Sequence, residues 1–191
     1  MPVSSSRHKF RLRFPEADIP KWAARFPDGG GDSGGGGDSG GDSGGDAACD
    51  RIRAAVLVRG FLTRSEFLKI CAWKSVRTKP RCRKNTTRTI ETITRAALAT
   101  SDEALKIDLL RFLEGVEWPT ASTILHFCDA RPYPILDYRA IWSLGYAAPP
   151  RYTMDFWLGY LNFTRGLARR LALPIRALDK ALWQYSKERQ G

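Results

Sequence analysis

The sequence predicts an all-α protein, and three observations carry the prediction. Apolar residues recur at helical spacing through nearly all of residues 50–190. Capping residues stand ahead of several of these runs, and Pro119 and Pro174 fall where helices begin. The connections between runs are short, in a chain whose 191 residues, 43% of them hydrophobic, suffice for a proper core. Periodicity fixes the class and leaves the topology open.

Residues 1–27 read as an N-terminal basic arm. Within it Lys9-Phe10-Arg11-Leu12-Arg13-Phe14 alternates basic and apolar residues, the pattern of a half-buried strand with a cationic face. Ile19 to Phe26 then predicts a short amphipathic helix with Pro20 near its first turn. Packing against the rest of the protein is the expected role, contact with phosphates the alternative. Residues 28–46 form a Gly/Ser/Asp tract with an irregular Asp-Ser-Gly-Gly repeat. It carries no side chains that bury apolar area, so a flexible linker is expected.

Residues 47–191 read as the helical domain. A first helix is expected over Asp50–Arg59. Thr63-Arg64-Ser65-Glu66 is a capping box that opens a helix through Phe67, Ile70 and Cys71. Asn85 or Thr86 caps the next, with Ile90, Ile93 and Ala97 inward. Thr100-Ser101-Asp102-Glu103 reads as a second capping box, opening a helix with Ile107, Leu110 and Leu113 on its apolar side. Pro119 fits the first position of the next helix, where its missing N–H costs nothing, and Ala121, Ile124, Leu125 and Cys128 follow at helical spacing. Asp137 leads a short helix ending near Gly145. Thr153 opens a longer one carrying Trp157, Tyr160, Leu161, Leu167 and Leu171, and Pro174 starts the last, with Ile175, Leu178, Leu182 and Tyr185 on one stripe.

No apolar run approaches the roughly 20 residues needed to cross a bilayer. The first residues show no apolar signal-peptide core, and Glu16 and Asp18 argue against an organelle transit peptide, so a soluble cytoplasmic protein is expected. Cys49, Cys71, Cys82 and Cys128 are scattered without a C-x-x-C pair, and only His8 and His126 could supplement them. Reduced, buried thiols are expected, with no metal and no cofactor.

The net charge of +11 is uneven: the five aspartates of residues 28–46 meet no Lys or Arg there, which leaves +16 on the remainder. So basic a protein suits a polyanionic partner, nucleic acid first, although charge alone speaks only to non-specific binding. The densest run is Lys74 to Lys84, six cations in eleven residues with no acid among them, and Arg88 follows. Lys79, Arg81, Arg83 and Lys84 are its candidate phosphate contacts; a solvated basic loop is the alternative.

Two further segments carry chemistry. Leu113-Glu114-Gly115-Val116-Glu117-Trp118-Pro119-Thr120-Ala121 places a short Gly-Val turn between two apolar helices. Such a turn, beside a helix N-terminus, exposes backbone N–H groups able to hold a phosphate without reading sequence. Tyr133-Pro134-Ile135-Leu136-Asp137 then delivers an aspartate at the mouth of another helix, sixteen residues after Ala121.

Together these segments resemble the helix-hairpin-helix DNA glycosylase superfamily, whose members flip a base out of DNA and hydrolyse its glycosidic bond. The resemblance covers roughly residues 102–145, and residues 50–190 in general pattern. Pro-Ile-Leu-Asp is especially similar to the segment of adenine-mismatch glycosylases. It implies a helix-hairpin-helix glycosylase-like helical fold, double-stranded DNA with a damaged or mismatched base as the partner, and Asp137 as the catalytic carboxylate, stabilising the oxocarbenium-like sugar and helping to activate water. Asp137 is equally an ordinary N-cap, and one residue can serve both ends. Gly115, Val116 and Thr120 would anchor the DNA backbone. Trp118, Tyr138 and Trp142 are candidates to stack on the extruded base, with core packing as the alternative. Arg139 is suited to a phosphate or to pairing with Asp137.

Two departures shape the expectation. Bifunctional members carry a lysine in the hairpin helix that forms a Schiff base; here the aligned residue is Pro119, which leaves hydrolysis without lyase chemistry. Glu117 replaces the second hairpin glycine and sets an anionic side chain where a phosphate would approach. The expected protein is therefore a monofunctional DNA N-glycosylase. The alternatives are a non-catalytic nucleic-acid binder and a protein-interaction scaffold on the same fold.

Overall fold

The computed structural model describes residues 9–27, 45–147 and 150–190. Among these residues every regular element is helical and there is no strand, as the fold class predicts. In chain order the α-helices are α1 (Ile19–Ala24), α2 (Gly45–Arg59), α3 (Arg64–Lys74), α4 (Lys79–Cys82), α5 (Thr87–Ala99), α6 (Glu103–Arg111), α7 (Trp118–Cys128), α8 (Tyr138–Ser143), α9 (Met154–Arg170) and α10 (Ile175–Arg189). The expected linker, residues 28–46, lies outside the described residues except for Gly45 and Asp46, which begin α2. None of the described helices is long and apolar enough to cross a membrane. The chain divides into two compact units, one of Pro27–Arg131 and the other of Met1–Phe26 with Pro132–Gly191.

In the unit of Pro27–Arg131 the local signals act as read at α3. Thr63 accepts from the Glu66 N–H while the Glu66 carboxylate accepts from the Thr63 N–H, a complete capping box. Thr86, rather than Asn85, caps α5. On α5 Ile90 and Ala97 are buried, whereas Ile93 is only partly covered and Thr94 takes the inward place. The Thr94 hydroxyl satisfies itself by donating to the Ile90 carbonyl and accepting from the Leu62 N–H. The predicted box at Thr100 is corrected: Asp102 is the N-cap of α6, accepting from the N–H groups of Ala104 and Leu105. Thr100 instead ends α5 and accepts from the Asp102 N–H. Aspartate caps at least as well as threonine, and the shorter helix frees Thr100 for that turn.

The core of this unit closes over a charged pair. Lys106 is wholly buried on α6 and bonds Asp129, itself 5% exposed, just beyond α7. Arg131 donates its backbone N–H to the same carboxylate, and Arg53 on α2 donates to the Asp129 and His126 carbonyls. Such a pair persists only because both ions keep partners after losing water.

The other unit is built on α1, α8, α9 and α10. Leu178 and Leu182 of α10 are fully buried, and Ser143 at the end of α8 donates to the Leu182 carbonyl at 2.6 Å. Asp137 and Thr153 cap α8 and α9 as expected. Lys9–Phe14 corrects the strand expectation. The segment forms no strand, Arg13 and Phe14 lie in a bend, and its hydrogen-bonding neighbour is the end of a helix: the Arg11 and Arg13 N–H groups donate to the Leu144 and Ser143 carbonyls. These carbonyls are the acceptors a helix C-terminus leaves unsatisfied, so a period-two pattern is preserved without a sheet. The apolar members are buried or half-buried. Phe10 packs among Tyr146, Phe156, Tyr160 and Phe163, and Phe14 against Trp22 and Tyr185.

Candidate nucleic-acid interface

The hairpin and the basic run, far apart in sequence, meet in the structure. Gly115 adopts φ +79°, where a side chain is strained, and a β-carbon there would stand 2.9 Å from both the backbone N and the Sγ of Cys82 and 3.0 Å from the Arg81 β-carbon. Glycine is required at this place by backbone angle and by close approach alike. Asn85 fastens the same junction, its amide accepting from the Glu114 N–H and donating to the Glu114 and Cys82 carbonyls, each at 2.9 Å.

The basic run is not a featureless loop. After a 3₁₀ turn at Val76–Thr78 it enters α4, whose N-terminal turn accommodates Pro80. This geometry leaves Arg81, Arg83 and Lys84 exposed and Lys79 partly so. The Arg83 carbonyl accepts from Arg64 at 2.9 Å, and the residue itself is exposed. Buried beneath lie two thiols. The hydrogen bond with Cys71 is the main influence bringing Cys82 down from 9.0 to about 7, against the opposing effect of burial and with help from Thr78 and Arg81. The same bond and burial push Cys71 up, so one proton of the pair leaves more readily and the other less. All four cysteines are buried and none is in a disulfide.

The hairpin itself is tightly packed. Val116 and Thr120 are 2% and 3% exposed, so neither side chain faces a phosphate, and the Val116 N–H is already given to the Leu113 carbonyl at 3.0 Å. No side chain caps the start of α7, where Glu117 is the N-cap and Pro119 lies at its second position rather than its first. Glu117 is exposed. Trp118 is corrected from stacking platform to core: it is 8% exposed, and the Arg111 guanidinium covers a face at 4.1 Å.

Asp137 belongs to the other unit, with Tyr138, Arg139 and Trp142. It is partly exposed at the mouth of α8, and its Oδ1 accepts from the Arg139 N–H at 2.9 Å. The segment ahead of it is locked in place. Both Asp179 oxygens accept from the Ile135 N–H, the Tyr160 hydroxyl donates to the Ile135 carbonyl at 2.9 Å, and Arg165 donates to the Pro132 carbonyl at 2.7 Å. Tyr133 is fully buried, parallel to Trp157 at 6.4 Å and with Arg165 over its ring.

Tyr152 is a neighbour of Asp137 that the sequence did not single out. Burial, with the Asp137 carboxylate adding to it, pushes its phenol up to about 12. Burial, Asp179 and Asp137 also raise Tyr160. Asp137 is thus set on a rigid, hydrogen-bonded strap beside a phenol that stays protonated at neutral pH.

Tyr138 is 40% exposed, and Arg139 stacks its guanidinium over Tyr138 and Trp183. Trp142 is partly covered, with Arg13 over its ring at 4.5 Å. Of the aromatic candidates, Tyr138 presents the most open ring. Among the described residues no group of three or more His, Cys, Asp or Glu is placed to hold a metal ion. Comparison with protein-family models, curated proteins and solved structures finds no match for this chain.

Proposed function

We propose that this protein is a monofunctional DNA N-glycosylase of the helix-hairpin-helix type, acting on a damaged or mismatched base in duplex DNA. The observation that carries the reading is the junction at Gly115, which sets the Gly-Val hairpin against Arg81 and Cys82, in the segment that also carries the exposed Arg83 and Lys84. A phosphodiester approaching the uncapped start of α7 meets backbone N–H groups and these side chains together, a sequence-independent grip of the kind that positions a duplex.

Asp137 supplies the chemistry in this reading. Its carboxylate keeps one oxygen bonded to its own helix, which fixes its direction, and its negative charge can stabilise a developing oxocarbenium while an attacking water is deprotonated. The strap from Pro132 to Leu136 keeps the carboxylate in register. Pro119 at the place of the lyase lysine restricts the reaction to hydrolysis.

A second reading, a non-catalytic nucleic-acid binder, is favoured by Trp118, which is committed to the core rather than open to a base. The two readings part on Asp137→Asn: it abolishes base release and spares duplex affinity under the first, and changes nothing under the second. Both require duplex binding that weakens with salt and weakens further on Arg81→Glu with Arg83→Glu. Affinity for duplex DNA that is indifferent to salt contradicts both.

A further inference from the structure

The alternating basic arm of residues 9–14 is not used by the proposed duplex interface, yet the structure gives it a site. Arg11 and Arg13 are both exposed, while Phe14 between the arm and α1 is buried. Four bonds hold the arm in this register. The Arg11 and Arg13 N–H groups donate to the Leu144 and Ser143 carbonyls at 3.1 and 2.9 Å, Arg13 Nε donates to the Trp142 carbonyl at 2.6 Å, and the Tyr185 hydroxyl donates to the Arg13 carbonyl at 3.1 Å. Gly145, at φ +99°, lets the chain turn beneath Arg11, whose carbonyl would lie 3.4 Å from an added β-carbon.

The result is an open cleft of about 560 Å³ lined by Arg11, Arg13, Trp142, Gly145, Tyr185 and Arg189, with Leu12 at its side. The described lining holds three arginines and no carboxylate. All three arginines are exposed, whereas Trp142 and Tyr185 are partly covered. Arg13 lies over the Trp142 ring at 4.5 Å, and Tyr185 packs against Phe14 at 4.5 Å and Trp142 at 5.9 Å, so the rings offer the cleft their edges. Cations that track a backbone beside aromatic surface that accepts bases make up the chemistry by which single-stranded nucleic acid is held without reading sequence.

We infer that this cleft is a second nucleic-acid site, binding a short single-stranded segment with its phosphates on Arg11, Arg13 and Arg189 and its bases along the uncovered edges of Trp142 and Tyr185. The site belongs to a different unit from the hairpin and does not rest on the glycosylase reading. Arg13 is positioned by its own bonds to the Trp142 carbonyl and ring, so it meets a strand without first being ordered.

The test is equilibrium binding of a fluorescent 12-nucleotide oligothymidylate to the full chain, made in the Arg81→Glu/Arg83→Glu background so that the hairpin face does not contribute. Binding is expected to persist in that background and to fall about tenfold or more when Arg11→Glu and Arg189→Glu are added, with a shallower salt dependence. Arg189→Ala alone, at the exposed end of α10, is expected to give a smaller loss in a protein with unchanged helical circular dichroism. Disappearance of strand binding in the Arg81→Glu/Arg83→Glu background overturns the inference, as does an affinity unmoved by Arg11→Glu/Arg189→Glu. Inorganic tripolyphosphate that displaces the oligonucleotide at equal charge concentration overturns it too, because it reduces the cleft to an anion patch without a role for the rings. Failure of the hairpin reading looks different: Arg81→Glu/Arg83→Glu then leaves duplex affinity intact.

Discussion

Asn85 holds both backbone polar groups of Glu114, accepting from its N–H and donating to its carbonyl at 2.9 Å in each direction. A single buried side chain thereby performs, at the edge of the hairpin, the service a paired strand performs in a sheet. Asn85→Ala leaves those groups without their partners, at a cost of about 1–3 kcal/mol. Chemical denaturation is expected to show that loss of stability, and Asn85→Asp, which keeps the acceptor alone, is expected to fall between wild type and Ala. Equal stability of all three proteins contradicts a clamping role.

Gly115→Ala tests the junction beside it. The positive φ alone costs a non-glycine residue about 1–2 kcal/mol, and the added methyl also collides with the Cys82 backbone, which cannot rotate away. The variant is expected to be destabilised beyond the backbone cost and to lose duplex affinity in proportion to the displacement of Arg81. Thermal denaturation and duplex titration measure the two effects separately.

The buried Lys106–Asp129 pair predicts an asymmetry between single and double substitutions. Lys106→Met takes from the buried Asp129 carboxylate its lysine partner and leaves it the Arg131 N–H and guanidinium, at a cost of about 3–5 kcal/mol. Replacing both residues with apolar ones of similar size is expected to recover much of that loss. A double variant as unstable as the sum of the singles contradicts the account of a costly buried ion pair.

Tyr152 reports on Asp137 without any substrate. Its phenol is raised by burial first and by the Asp137 carboxylate second, to about 12 against an ordinary 10.0. An acid whose folded pKa is raised contributes stability that is complete below pH 10.0 and is lost as pH climbs through about 12. Asp137→Asn removes only the second cause, so Tyr152 is expected to titrate below about 12 and still above 10.0. Ring-labelled tyrosine resonances followed through alkaline pH, assigned with Tyr152→Phe, provide the measurement. A titration unchanged by Asp137→Asn shows that the two groups do not interact.

Local chemistry was the legible part of this fold. The caps at Thr63, Asp137 and Thr153 each depend on a few neighbouring residues, and each appears where the sequence places it. Thr100 failed as a cap because Asp102 offers a competing carboxylate two residues later, a choice the pattern alone leaves open. The strand expectation at Lys9–Phe14 failed for a different reason. Alternation reports an extended chain with two unlike faces, and says nothing of whether its partner is a strand or the carbonyl end of α8.

The candidate site divides the same way. Asp137 was legible as a capping carboxylate, while Tyr152, fifteen residues on, is its neighbour only through the fold. Trp118 was a stacking candidate because it lies in the hairpin, with core packing as the alternative; the core reading holds, and Arg111, seven residues earlier, covers it. The contact of Gly115 with Cys82 joins segments more than thirty residues apart, so the junction could be read only as two separate pieces.

The glycosylase reading meets its most direct test in strand scission after alkali on duplexes carrying uracil, alkylated, oxidised or mismatched bases, with wild type set against Asp137→Asn. The account predicts cleavage of at least one substrate by the wild type, dependent on alkali because no lyase follows base release, and none by Asp137→Asn although that variant still binds the duplex. Cleavage that persists in Asp137→Asn, or a wild type that binds every duplex and releases no base, contradicts it.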